Sequence, residues 1–237
     1  MQTGTPTPVP PLPPTTPPLS LAPREVTRGS LVRQELALTF DCGGHAGPTR
    51  DILETLAQAD VRATFFMIGD WVRAHPDLAR EIAARHEIAH HSDHHPDYPS
   101  LSDAAIAADL EAGERTFIEV MGRGTKPLWR APSGARDARV LAATARAGWP
   151  LHVFWTQERD ARGELVSADS GDWRDFTPQQ VAANLERAAD LGNGVITVSH
   201  CDSEQTRAVL GSAIEAIRAR GLRLVTVSEL LRDGSPS

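Results

Sequence analysis

From about residue 30 to the C-terminus the chain alternates short apolar runs with helical segments, which restricts it to folds built on a parallel sheet. The runs Leu36–Phe40, Ala63–Gly69, His86–His91, Leu128–Pro132, Leu151–Trp155, Val195–His200 and Leu222–Val227 read as buried strands. Between them, Ile52, Leu53 and Leu56 fall at helical spacing, Pro76 suits the first turn of a helix to Arg85, and Ser102 can cap a long helix through Met121. Three further helices are expected: Asp137 to Gly148, Thr177–Pro178 to Gly192, and Glu204 to Arg220, the last closed by Gly221. A polar insertion, Gln157 to Ala168, interrupts the alternation. Connections of this kind are right-handed, so the expected architecture is α/β with parallel strands.

The beginning of the chain is different. Residues 1 to about 22 are rich in proline and threonine and lack the means to bury a core, so residues 1–29 read as a tail or linker and 30–237 as the folded domain. A spacer of this kind suits an enzyme held at a wall or membrane, which favours a secreted or cell-envelope location, although no signal peptide follows Met1. The net charge of −7 argues against a nucleic-acid partner. No apolar run approaches the roughly 18 residues of a membrane helix. A glycine-rich dinucleotide fingerprint and a phosphate-binding P-loop are both missing. Oligomeric state leaves no signature.

Strand ends are where parallel α/β folds place their chemistry. Here four of them carry functional side chains: Asp41–Cys42, His91, Arg130 and His200. The densest cluster is His90-His91-Ser92-Asp93-His94-His95. In it His91 and His95 are spaced to bring two imidazoles to one divalent ion, zinc first and cobalt or another transition ion second.

Five stretches then resemble, in order, the motifs of the polysaccharide deacetylases, the NodB-homology or carbohydrate esterase family 4 enzymes. They are Thr39-Phe40-Asp41-Cys42-Gly43, His91-Ser92-Asp93-His94-His95, Arg130-Ala131-Pro132, Asp169-Ser170-Gly171-Asp172-Trp173 and Val198-Ser199-His200. The resemblance implies a distorted (β/α) barrel with about seven strands and metal-dependent removal of acetyl groups from a polysaccharide such as wall glycan or a chitin-like polymer. It also implies roles. Asp41 is the general base, His91 and His95 hold the metal, and Arg130 orients Asp41. His200 is the acid that protonates the leaving group, with Asp169 supporting its charged form. Trp173 walls the pocket beside His200. Two positions depart from the pattern: Ser133 stands where the family has an aromatic, and Cys42 stands for the second Asp, the family's third metal ligand.

Cys42 leaves two outcomes open. As a thiolate it completes a Cys-His-His zinc site, and a thiolate or a free thiol is the preferred expectation; alternatively it pairs with Cys201, since in a closed barrel the first strand lies beside the last ones. Two rival functions follow: a weakly catalytic carbohydrate-binding relative with an impaired metal site, and an amidase acting on a small or peptide substrate.

Overall fold

The computed structural model describes residues 22–232 except residue 161; the proline-rich run before residue 22 lies outside the described residues. Twelve short strands are present in that span: β1 (Arg24–Val26), β2 (Glu35–Ala37), β3 (Thr39–Cys42), β4 (Thr64–Met67), β5 (Glu87–His90), β6 (Leu128–Trp129), β7 (Leu151–Val153), β8 (Gln157–Arg159), β9 (Leu165–Ser167), β10 (Val195–Ile196), β11 (Ser199–His200) and β12 (Arg223–Leu224). Seven of them form one sheet in the order β1-β7-β6-β5-β4-β3-β11, and every pairing within it is parallel. Between the strands run α1 (Thr49–Gln58), α2 (Gly69–Ala74), α3 (Pro76–Arg85), α4 (Asp103–Met121), α5 (Ala138–Arg146), α6 (Pro178–Asp190), α7 (Glu204–Ala219) and α8 (Val227–Leu230).

The architecture is the expected α/β one, a barrel-like wrap of parallel strands and helices, and its distortion has a visible cause. The strand expected over Leu36–Phe40 is broken at Leu38. Its first half, β2, pairs with β10 and β12 in a separate three-stranded sheet, while its second half, β3, lies between β4 and β11. The last strands are broken in the same way, so that Val195–His200 contributes β10 to one sheet and β11 to the other. Between the β1–β7 edge and the segment carrying β10 and β11, irregular backbone closes the wrap. Thr156 N–H donates to Ile196, Ala168 N–H to Thr156, and Val198 N–H to Ala168. Ser170 N–H donates to Val198, and this carries residues 168–170 to the mouth of the barrel.

Three boundaries differ from the sequence reading. β1 lies inside the stretch assigned to the tail; it is an edge strand paired with β7, so the folded unit begins before residue 30. Arg24-Glu25-Val26 contains a single apolar residue, which is why no periodic signal marks it. The polar insertion folds as an antiparallel hairpin, β8–β9. The final strand ends at Leu224 because Thr226 and Glu229 form a reciprocal capping box that opens α8.

Packing explains the pattern. Phe40, Phe65, Phe66 and Met67 are essentially inaccessible, with Phe40 stacked on Phe65 at 5.0 Å. Side chains of this size each contribute roughly 1.5–3 kcal/mol on burial. Neighbouring strands are thereby fixed in register, and Asp41 is set opposite both Phe66 and His200.

Candidate active site

The C-terminal ends of β3, β5, β6 and β11 open onto a cavity of about 540 Å³, whose walls include Asp41, His91, His95, Ser133, Trp173 and His200. Each candidate residue except Cys42 and Arg130 faces this space; Arg130 stands just behind it.

Asp41 ends a buried strand, and its carboxylate is held from one side. Arg130 Nη1 donates to Oδ1 at 2.7 Å, its Nε donates to the Val153 carbonyl at 3.0 Å, and its plane lies 4.0 Å from the Phe66 ring centroid. Burial alone pushes Asp41 upward, but the positive charges of Arg130 and His200 outweigh it and keep the carboxyl below its ordinary range. Arg130 is completely buried and Asp41 meets solvent only through the cavity, so losing the carboxylate would strand a buried charge.

On the other side, His91 is buried and donates from Nδ1 to the Arg130 carbonyl at 3.0 Å. Burial lowers its pKa to about 4, leaving it neutral near pH 7. With its proton on Nδ1, the Nε2 lone pair faces Asp41 Oδ2 at 3.6 Å. Two electron-rich atoms therefore converge with no proton between them, an arrangement that a cation relieves. His95, also lowered by burial, stacks edge-on to His91 at 5.1 Å. The loop between them contains two non-glycine residues at positive φ, Ser92 at 79° and His95 at 58°. Such strain persists where surroundings over-determine it. Here Ser92 N–H is caught by His90 Nδ1, and Ser92 Oγ accepts from His95 N–H. His90 itself is fully buried and donates from Nε2 to the Leu110 carbonyl.

These two imidazoles fit a divalent ion; the third position does not. Cys42 and Cys201 are joined as a disulfide with Cα atoms 5.0 Å apart, and neither is exposed. The thiolate expectation is thus corrected. Strand pairing sets His200 opposite Asp41, so the next residues, Cys42 and Cys201, are brought within bonding reach. Among the described residues, no three His, Cys, Asp or Glu side chains form a closed ligand set.

His200 faces the cavity from β11, and its partner is Asp172, not Asp169. Nδ1 donates to Asp172 Oδ1 at 2.7 Å, while Asp172 Oδ2 accepts from His200 N–H at 2.8 Å and Thr206 Oγ1 at 2.5 Å. Burial depresses the imidazole, but the hydrogen bond and charge of Asp172, aided by Asp41, raise it to about 9. Asp169 has a different task. Its Oδ1 accepts from Gly171 N–H and its Oδ2 from Trp173 Nε1, which fixes the indole over the mouth of the cavity with 61% of Trp173 exposed. Spacing cannot separate these two roles, because both aspartates lie on one turn.

Ser133, where an aromatic was noted as absent, lines the cavity at φ 52° in the turn after Pro132. A supporting pair escaped the sequence reading. His152 is fully buried, accepts from Ala131 N–H at Nε2, and donates from Nδ1 to Glu25 on β1. No motif marks it.

Residues 28–152 match the polysaccharide deacetylase family. The peptidoglycan-N-acetylglucosamine deacetylase of Bacillus cereus is 30% identical over 83% of this chain and 88% of its own. The chitin deacetylase of the fungal pathogen Colletotrichum lindemuthianum superposes with a TM-score of 0.75 at 27% identity, covering 89% of this chain and 92% of that one. A mutant of a carbohydrate esterase family 4 pseudoenzyme from Bacillus anthracis, one with restored enzymatic activity, superposes with a TM-score of 0.78 at 25% identity, over 89% and 72% of the two chains. With five ordered motifs gathered on one cavity, the chain belongs to the polysaccharide deacetylase family, carbohydrate esterase family 4.

Proposed function

We propose that this protein hydrolyses acetyl groups, chiefly N-acetyl groups, from a wall glycan or chitin-like polysaccharide outside the cytoplasm. One observation carries the reading: Asp41 and His200 face the same cavity in opposite charge states, one kept ionised by Arg130 and the other kept protonated by Asp172. A general base and a general acid on either side of an acetamide are what hydrolysis of an amide requires.

In this reading Asp41 takes a proton from the attacking water through Oδ2, the oxygen not engaged by Arg130. His200, with Nδ1 committed to Asp172, presents Nε2–H to the departing amine nitrogen. His91 and His95 hold a divalent ion, with zinc or cobalt suited to imidazole donors. When bound, the ion supplies Lewis-acid polarisation of the acetyl carbonyl and acidifies the attacking water. Trp173 and Ser133 shape the wall against which the sugar rests. The buried disulfide, the proline-rich start of the chain and relatives acting on peptidoglycan support an oxidising, extracytoplasmic setting. The direct test is acetate release from an N-acetylglucosamine oligomer by metal-analysed protein. Activity that survives exhaustive chelation would overturn the metal-dependent reading.

A second reading has one specific observation behind it. Cys42 holds the third ligand position and is consumed by the disulfide, which favours a weakly catalytic, sugar-binding relative. The variant Cys42→Asp with Cys201→Ser separates the two. A large gain in both metal retention and acetate release would mark the natural chain as impaired, whereas an already active wild type would dismiss this second reading.

A further inference from the structure

Beside the cavity holding Asp41 and His200 lies a second one of about 460 Å³, and the two share three wall residues, Trp155, Asp169 and Trp173. A polymer seated in the first therefore continues into the second without leaving the surface. The hairpin β8–β9 supplies one wall of this second space, including Leu165, and the segment following Asp169 supplies another. Leu165 and Trp173 are 63% and 61% exposed, so two of the largest apolar side chains left open to solvent flank the same opening. Flat apolar surface of this kind covers the face of a sugar ring.

The charge of this cavity is unlike that of the chain as a whole, which carries −7. Arg174 and Arg187 both line it, and among the described residues neither has an ion-pair partner, whereas Arg28, Arg33, Arg73, Arg130, Arg136 and Arg220 each hold a carboxylate. The Arg174 guanidinium is stationed 4.6 Å from the Trp173 ring centroid and 5.7 Å from that of Phe176, at the boundary between the two cavities. The acid in the lining, Asp169, already accepts from Gly171 N–H and Trp173 Nε1. Trp155, shared by both cavities, has a buried indole N–H with no hydrogen-bond partner among the described residues. Two uncommitted guanidiniums against one committed carboxylate leave a deficit of a single negative charge. Arginine forks suit a carboxylate in geometry as well as in charge.

We propose that this second cavity is a subsite for a carboxylate-bearing sugar unit next to the one deacetylated, its acid group held by Arg174 and Arg187 and its ring laid on Trp173. The inference rests on the deacetylase reading above and narrows the substrate from any acetylated polysaccharide to one with acidic sugars along the chain.

The test compares two N-acetylated oligosaccharides of equal length, one neutral and one carrying a lactyl carboxylate on alternate sugars, both free of peptide. Binding and acetate release are measured separately. Wild type is expected to prefer the acidic oligomer. In Arg174→Gln/Arg187→Gln that preference falls about ten-fold or more, the scale of a lost charge-assisted contact, and it weakens with added salt. Methyl-esterifying the lactyl groups abolishes it in wild type. No preference in wild type, or an equal loss on both oligomers in the variant, overturns the subsite. A preference that appears only when stem peptides are attached moves the carboxylate off the sugar and also overturns it. Should neither oligomer release acetate while the binding preference persists, the deacetylase reading falls and the acid-binding subsite stands.

Discussion

His91 and His200 are the same residue type at the same kind of place, each at the C-terminal end of a parallel strand facing one cavity. Yet one is driven down to about 4 and the other up to about 9. The difference lies behind the ring. His91 gives its Nδ1 proton to a backbone carbonyl, and that bond together with the charge of Asp41, already shared with Arg130, is too weak to offset its burial. His200 gives its Nδ1 proton to Asp172, a carboxylate reinforced by Thr206, and stays cationic. The group at Nδ1 thus sorts two imidazoles into a neutral ring with a free lone pair and a cationic ring, although both sit at strand ends.

Asp41 stands between them, and removing its charge has the largest expected effect. Asp41→Asn keeps the shape but abolishes the base, and acetate release should fall by about 10²–10⁴-fold. Folding, followed by circular dichroism, should persist but with a lower melting temperature, because Arg130 loses its buried counter-charge. An Asp41→Asn protein with wild-type turnover would dissolve the acid–base pairing on which the comparison stands.

The comparison itself breaks if the two histidines prove interchangeable. His91→Ala should lower metal affinity by at least about ten-fold, since it removes one of two imidazole donors. His200→Ala should leave bound metal near the wild-type level while acetate release collapses. Equal metal loss in both variants, measured by elemental analysis after gel filtration, would mean that His200 is a ligand and not the acid.

The sequence carried this division only in part. Asp41, His91, Arg130 and His200 were legible because strand ends announce themselves, an apolar run stopping at a polar side chain; His95 follows four residues after His91, and the motifs that hold all five stand in family order. The α/β alternation was legible for the same reason, in that period and burial agree over α1, α3, α4, α6 and α7. What could not be read depended on partners distant in the chain. Asp169 and Asp172 are three residues apart in a turn, and only the closure of the barrel decides which one meets His200. Cys42 reads as a ligand from its position in a motif, but the register between β3 and β11 delivers Cys201 to it first. β1 was hidden because an edge strand of three residues, two of them charged, has no hydrophobic signature.

Asp172→Asn sharpens the comparison by giving His200 a neutral partner. In wild type the alkaline limb of the rate profile should fall near pH 9, where His200 loses its proton. In the variant it should slide toward the ordinary histidine value of about 6.5. Stability follows the same sign. A group raised from about 6.5 unfolded to about 9 folded contributes stability that is complete below the first value and gone above the second. Thermal melts should therefore show wild type losing stability across that window, and Asp172→Asn showing little further loss there. An alkaline limb that does not move would assign it to another group.

The smallest expected effect comes from a third imidazole, His152, which bounds how far the comparison extends. It also donates from Nδ1 to a carboxylate, Glu25, and by partner alone it would resemble His200. Burial nonetheless lowers it, and geometry agrees: Nε2 accepts the Ala131 N–H at 3.2 Å, so that nitrogen cannot carry a proton. A carboxylate behind the ring keeps an imidazole charged only when the far nitrogen is free to hold a hydrogen. Glu25 for its part is held down at about 2, first by the His152 hydrogen bond and then by Arg136. A depressed carboxylate contributes stability above its unfolded value of about 4.5, and that contribution disappears as pH falls toward the folded one. Glu25→Gln should therefore cost only about 1 kcal/mol at neutral pH, because the carboxylate is partly exposed and screened. The gap from wild type should close as the medium is acidified from about pH 4.5 toward pH 2. The rate profile should keep its alkaline limb near pH 9, since His200 is untouched. A limb displaced by Glu25→Gln as far as by Asp172→Asn would show that His152 carries a catalytic proton after all, and that the partner at Nδ1 decides everything.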